Sequence, residues 1–192
     1  MEIKDHWLNS VKHTLSPNCD RRIDENDIDL IVIHCISLPE GKFNTPFIQQ
    51  LFTNQLRADD HPDFAKICHL QVSSHLVIER DGLISQYVPF NQRAWHAGIS
   101  EYLGRTQCND FSIGIELEGT IDTPYTKTQY QQLAKIISCL CQTYPNLTPE
   151  RITAHSHIAP DRKKDPGKYF DWNKLYRLLR TPVTDNSVEN DR

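Results

Sequence analysis

Between Phe111 and Glu118 apolar and polar residues alternate without a break. Phe111, Ile113, Ile115 and Leu117 interleave with Ser112, Gly114, Glu116 and Glu118. A period of two fits an extended strand with one apolar face and does not fit a helix. The stretch from Asp27 to His34, built on Leu30-Ile31-Val32-Ile33, reads as a second strand, buried and flanked by polar residues. Two strands so far apart in the chain need a common sheet and apolar elements to cover it.

The covers are legible as well. Thr126-x-x-Gln129 is a capping box that opens a helix with the stripe Tyr130, Leu133, Ile136, Ile137, Leu140 and Tyr144. Asp171 caps a last helix carrying Trp172, Leu175 and Leu179. Thr45-Pro46 starts a shorter helix through Phe47, Leu51 and Phe52, with Thr as N-cap and Pro at the first helical position. Residues 75–80 and 83–88 read as strands around the turn Asp81-Gly82, and Arg151 to His155 as another short strand. Residues 1–26 read as a mixed helical and irregular lead-in, and the polar, aperiodic stretch 182–192 as a disordered tail. The expected fold is α/β (α+β): a single layered domain over residues 1–181, with a mixed central β-sheet flanked by helices.

Composition narrows the function classes. With 21 Lys+Arg against 25 Asp+Glu the net charge is −4, and no basic block reaches the length of a nucleic-acid arm, so neither DNA nor RNA is the expected partner. The longest aliphatic run, Leu30 to Ile33, falls far short of the roughly 20 residues that a membrane span needs. Met1 to Asp5 does not read as an export signal. A cytoplasmic location is therefore expected, with Cys19, Cys35, Cys68, Cys108, Cys139 and Cys141 as thiols. No obligate protein partner is expected.

His34 at the end of the first strand, His155 at the end of the last, and Asp165 ten residues on in a loop with Pro160, Pro166 and Gly167 form a candidate metal set. Two imidazoles and one carboxylate leave a divalent ion one open position, as catalytic zinc sites require. His157 rivals His155, because residues i and i+2 share a face in extended chain, and spacing alone leaves that choice open. His6, His13, His61 and His69 read as ordinary surface or core residues, and His75 as packed. Glu116 reads either as a solvated edge carboxylate like Glu118 or as a general base beside the metal, with Gly114 leaving it room. Lys163 belongs either to a solvated triplet, Arg162-Lys163-Lys164, or to an oxyanion site. Trp95-His96-Ala97-Gly98 suits the lining of a sugar or peptide cleft, with Trp95 equally suited to the core.

Several motifs carry a family resemblance. They are Ile33-His34 with Ser37-Leu38-Pro39, Tyr87-Val88-Pro89-Phe90, Ala94-Trp95-His96-Ala97-Gly98, the stretch from Asn109 to Gly119, His155 with Ile158-Ala159-Pro160, Arg162-Lys163, Asp165-Pro166-Gly167 and Phe170-Asp171-Trp172. Together, over roughly residues 5–180, they resemble the zinc N-acetylmuramoyl-L-alanine amidases, and within them the cytosolic branch that recycles 1,6-anhydro-muropeptides. The resemblance implies one zinc ion on His34, His155 and Asp165, and it chooses His155 over His157. It implies Glu116 as catalytic, assisted by Lys163; Trp95, His96, Arg105 and Arg162 are the expected substrate-binding residues. The implied substrate is a small muropeptide cut between N-acetylmuramic acid and L-alanine, in cell-wall recycling with an indirect influence on β-lactamase induction. Phage-type relatives carry a catalytic tyrosine where this chain has Ser74. Cys35 departs from a close relative's asparagine, which would weaken a substrate contact there.

Three other readings compete. Domains of this fold can lose the metal and only bind muropeptide; the presence together of both histidines, Asp165 and Glu116 favours an enzyme. Two histidines and a carboxylate also describe non-haem iron oxygenases, whose His-x-Asp pair could here only be His61-Pro62-Asp63, and proline fits poorly in a paired strand. A lytic amidase acting on intact peptidoglycan would share the chemistry but is expected to carry an export signal or a wall-binding domain.

Overall fold

The computed structural model describes residues 1–180; the expectation for 182–192 and the domain limit at 181 lie outside the described residues. The chain begins with β1 (Ile3–Lys4), β2 (Trp7–Leu8), β3 (Lys12–His13) and β4 (Cys19–Arg21). Next come β5 (Leu30–Ile36), α1 (Phe47–Phe52), β6 (Leu76–Ile78), β7 (Ile84–Gln86) and β8 (Gln92–Ala94). A small hairpin of β9 (Glu101–Tyr102) and β10 (Arg105–Thr106) precedes β11 (Ser112–Glu118) and the long α2 (Lys127–Thr143). The described chain closes with β12 (Ile152–Ala154), the single turn α3 (His155–Ile158) and α4 (Trp172–Arg180).

Six strands form one mixed sheet in the order β12-β5-β11-β6-β7-β3. The first four are parallel neighbours, β7 runs antiparallel to β6, and β3 runs parallel to β7. This is the expected α+β architecture.

One sheet face is apolar and closed by helices. Ile31 and Ile33 of β5 and Ile113, Ile115 and Leu117 of β11 share a buried cluster with Tyr130, Leu133, Ile136, Ile137 and Leu140 of α2 and Leu175 of α4. Each fully buried Leu or Ile is worth about 1.5–3 kcal/mol over its exposed state, so packing rather than helix propensity holds α2 on the sheet. The capping box forms as expected: Thr126 Oγ1 accepts from the Gln129 N–H at 3.1 Å and Gln129 Oε1 from the Thr126 N–H at 3.1 Å. Gln129 Nε2 also donates to the carbonyls of Ile78 and Glu118, which ties the start of α2 to the ends of β6 and β11.

The other face differs from the sequence expectation. Every residue of β11 is buried, the polar ones included. Glu118, expected in solvent, is fully buried and accepts from the backbone N–H of Asn44 (2.6 Å) and of Arg80 (3.1 Å). Loops therefore cover the polar side, and alternation marks which residues face which cover, not which face is wet.

Three local expectations are corrected. Residues 1–26 contain no helix; β1 and β2 form a hairpin turning through Asp5 and His6, both at positive φ. The short helix begins after Pro46 with no side-chain cap, because Thr45 Oγ1 donates instead to the Leu38 carbonyl at 2.5 Å. β5 continues to Ile36, so His34 sits inside the strand rather than at its end. Among the described residues no helix is long and apolar enough to cross a membrane.

Candidate metal centre

The sheet register brings two of the candidate residues level. His34 of β5 stands opposite Glu116 of β11, and Ala154 of β12 pairs with Ile33 on the other side of β5, so His155 follows at the height of His34. Asp165 arrives on a loop anchored at several points. Its carbonyl accepts from the Ser156 N–H at 3.0 Å, and the Pro166 carbonyl accepts from the Tyr125 hydroxyl at 2.7 Å. Gly167, at φ +86°, lies so close to the Ile121 backbone that a Cβ there would overlap it.

Three atoms converge: His34 Nδ1, His155 Nδ1 and Asp165 Oδ2. The two nitrogens are 2.9 Å apart, and the carboxylate oxygen lies 3.2 Å from His34 and 3.0 Å from His155. Among the described residues these three form the metal-competent His/Cys/Asp/Glu group. A four-coordinate divalent ion with bonds of about 2.0–2.1 Å has ligand atoms about 3.3 Å apart, so the triangle fits one such ion with a fourth position open. His155 Nε2 lies 3.1 Å from the Ala97 carbonyl. A carbonyl only accepts, so His155 carries its proton on Nε2 and turns the Nδ1 lone pair towards the other two atoms. His155 Nδ1 and Asp165 Oδ2 are then two acceptors facing each other at 3.0 Å, an arrangement that suits a cation.

The electrostatics agree with that donor set. Burial pushes the His34 imidazole down to about 4, against the opposing pull of Asp165, so it is neutral at neutral pH. Burial would raise Asp165, but the imidazoles of His155 and His34 beside it hold it below the usual carboxylate range. Glu116 is pushed well above that range, by burial first and by the charge of Asp165 second, while Lys163 pulls the other way. Its Oε2 is buried with no hydrogen-bond partner among the described residues. An unpartnered buried carboxylate oxygen costs stability.

Other sequence candidates are distributed unevenly. Lys163 is half-buried, and its charge acts on both His34 and Glu116. His96 lies behind His34, with Nδ1 2.9 Å from His34 Nε2 and Nε2 3.2 Å from Ser112 Oγ. Gly114 leaves room for this ring rather than for Glu116: a Cβ there would stand 2.5 Å from His96. Arg162 donates to the carbonyls of Ala97 (2.7 Å) and Ile99 (2.8 Å), fixing the loop whose carbonyl orients His155. Trp95 is half-buried; its N–H donates to the Ser73 hydroxyl and its carbonyl accepts from the Ser73 N–H, both at 3.1 Å. Arg105 is not brought to the centre. It pairs with Asp27 and Asp29 and lies over the Phe111 ring, at the N-terminal ends of β5 and β11. Five steps of extended chain separate Asp29 from His34, roughly 16 Å at about 3.3 Å each. His157 turns away, stacked on Trp172. Cys35 packs against the helix-covered core, and burial pushes its thiol up to about 12.

Sequence reasoning missed two supports. Asn109 Oδ1 accepts from the N–H groups of both His96 (3.1 Å) and Ala97 (2.8 Å), and the Ala97 carbonyl is shared by His155 and Arg162. Backbone carbonyls carry no sequence signal, and Asn109 could have been found only through the motif that contains it.

The profile of the N-acetylmuramoyl-L-alanine amidase family matches residues 24–168. The chain is 50% identical to the 1,6-anhydro-N-acetylmuramyl-L-alanine amidase AmpD of Escherichia coli over 184 residues, covering 96% of this chain and all of that protein. A crystal structure of an AmpD derivative superposes with a TM-score of 0.91 at 50% identity, covering 93% of this chain and 99% of that one. The amidase AmiD of E. coli, solved with anhydro-N-acetylmuramic acid-L-Ala-D-gamma-Glu-L-Lys, gives a TM-score of 0.58 at 32% identity, over 79% of this chain and 57% of that one.

Proposed function

The chain belongs to the N-acetylmuramoyl-L-alanine amidase family, and from that premise we propose that it hydrolyses the amide bond between 1,6-anhydro-N-acetylmuramic acid and L-alanine, using a zinc ion held by His34, His155 and Asp165. The observation that carries the reading is the convergence of those three donor atoms at 2.9–3.2 Å beside a buried, unpartnered Glu116 oxygen. When bound, zinc supplies Lewis acidity, making water a nucleophile near neutral pH and drawing electrons from a carbonyl.

The chain's own groups do the rest. Glu116 accepts the proton of the attacking water and returns it to the departing L-alanine nitrogen, the exchange a positioned carboxyl performs in both directions. Lys163 offsets the negative charge that develops on the carbonyl oxygen. His34 stays neutral, and His155 is oriented by its outer ring nitrogen on the Ala97 carbonyl. Arg162 holds that carbonyl in place.

A cytoplasmic location goes with this reading. It is supported by six cysteines that are all thiols, as a reducing compartment requires. The test is product analysis on purified 1,6-anhydro-muropeptide. Free peptide beginning with L-alanine, released beside an intact anhydro sugar, is the expected outcome. Release of peptide fragments cut elsewhere, or no turnover with zinc present, contradicts it.

A further inference from the structure

We propose that His96 is a positioning residue that sets the tautomer of His34, accepting the His34 Nε2–H so that the Nδ1 lone pair faces the metal position. The proposal rests on the zinc site described above and assigns that site a partner outside its ligands. Four groups stand in a row. His34 Nε2 is 2.9 Å from His96 Nδ1, His96 Nε2 is 3.2 Å from Ser112 Oγ, and Ser112 Oγ is 2.5 Å from the Cys108 carbonyl oxygen.

The last member fixes the direction of all the others. A carbonyl cannot donate, so the Ser112 hydroxyl gives its one proton to Cys108 and turns lone pairs towards His96. The proton between them then belongs to His96 Nε2. A neutral imidazole protonated there has its lone pair on Nδ1, which takes the proton of His34 Nε2. His34 is left with a bare Nδ1, the state that a ligand needs. His155 reaches the same state directly through the Ala97 carbonyl. The two imidazoles are thus each set by a backbone carbonyl, one in a single step and one through two side chains.

The relay is held rigidly. The absent side chain at Gly114 lets the His96 ring lie on β11, and the His96 N–H is tied to Asn109 Oδ1 at 3.1 Å. Ser112 is fully buried, so water does not compete for its lone pairs.

The experiment is zinc affinity by chelator competition on the full chain, with thermal melting as a check of folding. His96→Phe keeps a ring but removes the acceptor, and its zinc affinity is expected to fall about 10-fold to 100-fold, the usual cost of losing a partner behind a ligand. His96→Asn puts an amide oxygen near the position of Nδ1 and is expected to recover most of that loss. Unchanged affinity in a folded His96→Phe, or equal weakening in the Phe and Asn variants, overturns the role of His96. If the Phe variant does not fold, Ser112→Ala decides: weaker zinc binding is expected, and wild-type affinity overturns the relay. A wild-type chain that takes up no zinc overturns the metal reading itself, which separates the two failures.

Discussion

Glu116 and His34 stand directly opposite each other on adjacent parallel strands, so their side chains share one face of the sheet. The pairing fixes a carboxylate next to the His34 imidazole through backbone hydrogen bonds rather than through a loop. Replacing Glu116 by Gln keeps the shape and removes the base. Turnover is expected to fall by about 100-fold to 10,000-fold, with zinc content unchanged. Activity near the wild-type level would remove Glu116 from the mechanism.

Lys163 makes no ion pair among the described residues, yet its charge reaches Glu116 and His34. Lys163→Met keeps the apolar stem and deletes the charge. If it stabilises the oxyanion, kcat is expected to drop by about 100-fold to 1000-fold while KM moves little. A change confined to KM would assign it to substrate binding instead.

Gly114 is where the site meets the packing of the fold. The Cβ of Gly114→Ala would stand 2.5 Å from the His96 ring, and the ring is enclosed by Ser112 and His34. Such overpacking costs about 1–3 kcal/mol, expected as a melting temperature lower by roughly 2–10 °C. Displacement of His96 is expected to weaken zinc binding as well. A variant that melts like the wild type would show the ring to have room to spare.

His75 supplies a pH dependence away from the ligands. It is fully buried, its Nδ1 accepts from the Gly114 N–H at 3.0 Å, and burial followed by the charge of Arg22 pushes its pKa well below 6.5. The folded protein therefore keeps it neutral while the unfolded chain takes up a proton as pH falls through about 6.5. The unfolded state binds more protons in that range, so this contribution to stability is complete above about 6.5 and is lost as pH drops. His75→Asn keeps an acceptor for Gly114 and abolishes the titration. Urea denaturation is expected to show a smaller loss of stability between about pH 7 and pH 5 in the variant than in the wild type; equal losses would contradict it.

What the sequence made legible follows from where the information is local. The capping box at Thr126 and the period of β11 are written in neighbouring residues, and both appear as expected. The burial of Glu118 is not local: it depends on loops at residues 44 and 80 folding over the sheet, so its polarity reads as solvent contact, while for Glu116 the sequence leaves a solvated carboxylate and a base beside the metal both open. The hairpin at Asp5 and His6 uses positive φ at two residues without the glycine that usually signals such a turn, which is why a helical lead-in was expected there. Arg105 carries no local sign that Asp27 and Asp29 neutralise it at the far end of the strand. The candidate triad needed no such detail, because each member lies in or just after a segment readable by itself. Their convergence came only with the register.

The central claim is a single zinc ion on two imidazole nitrogens and one carboxylate oxygen. X-ray absorption at the zinc edge of the loaded protein tests it most directly. The expected spectrum shows four nitrogen or oxygen neighbours at about 2.0–2.1 Å with the outer-shell pattern of two imidazoles, reduced to one imidazole in His155→Ala. A sulfur neighbour at about 2.3 Å, or a wild-type spectrum unaltered by removing His155, would contradict it.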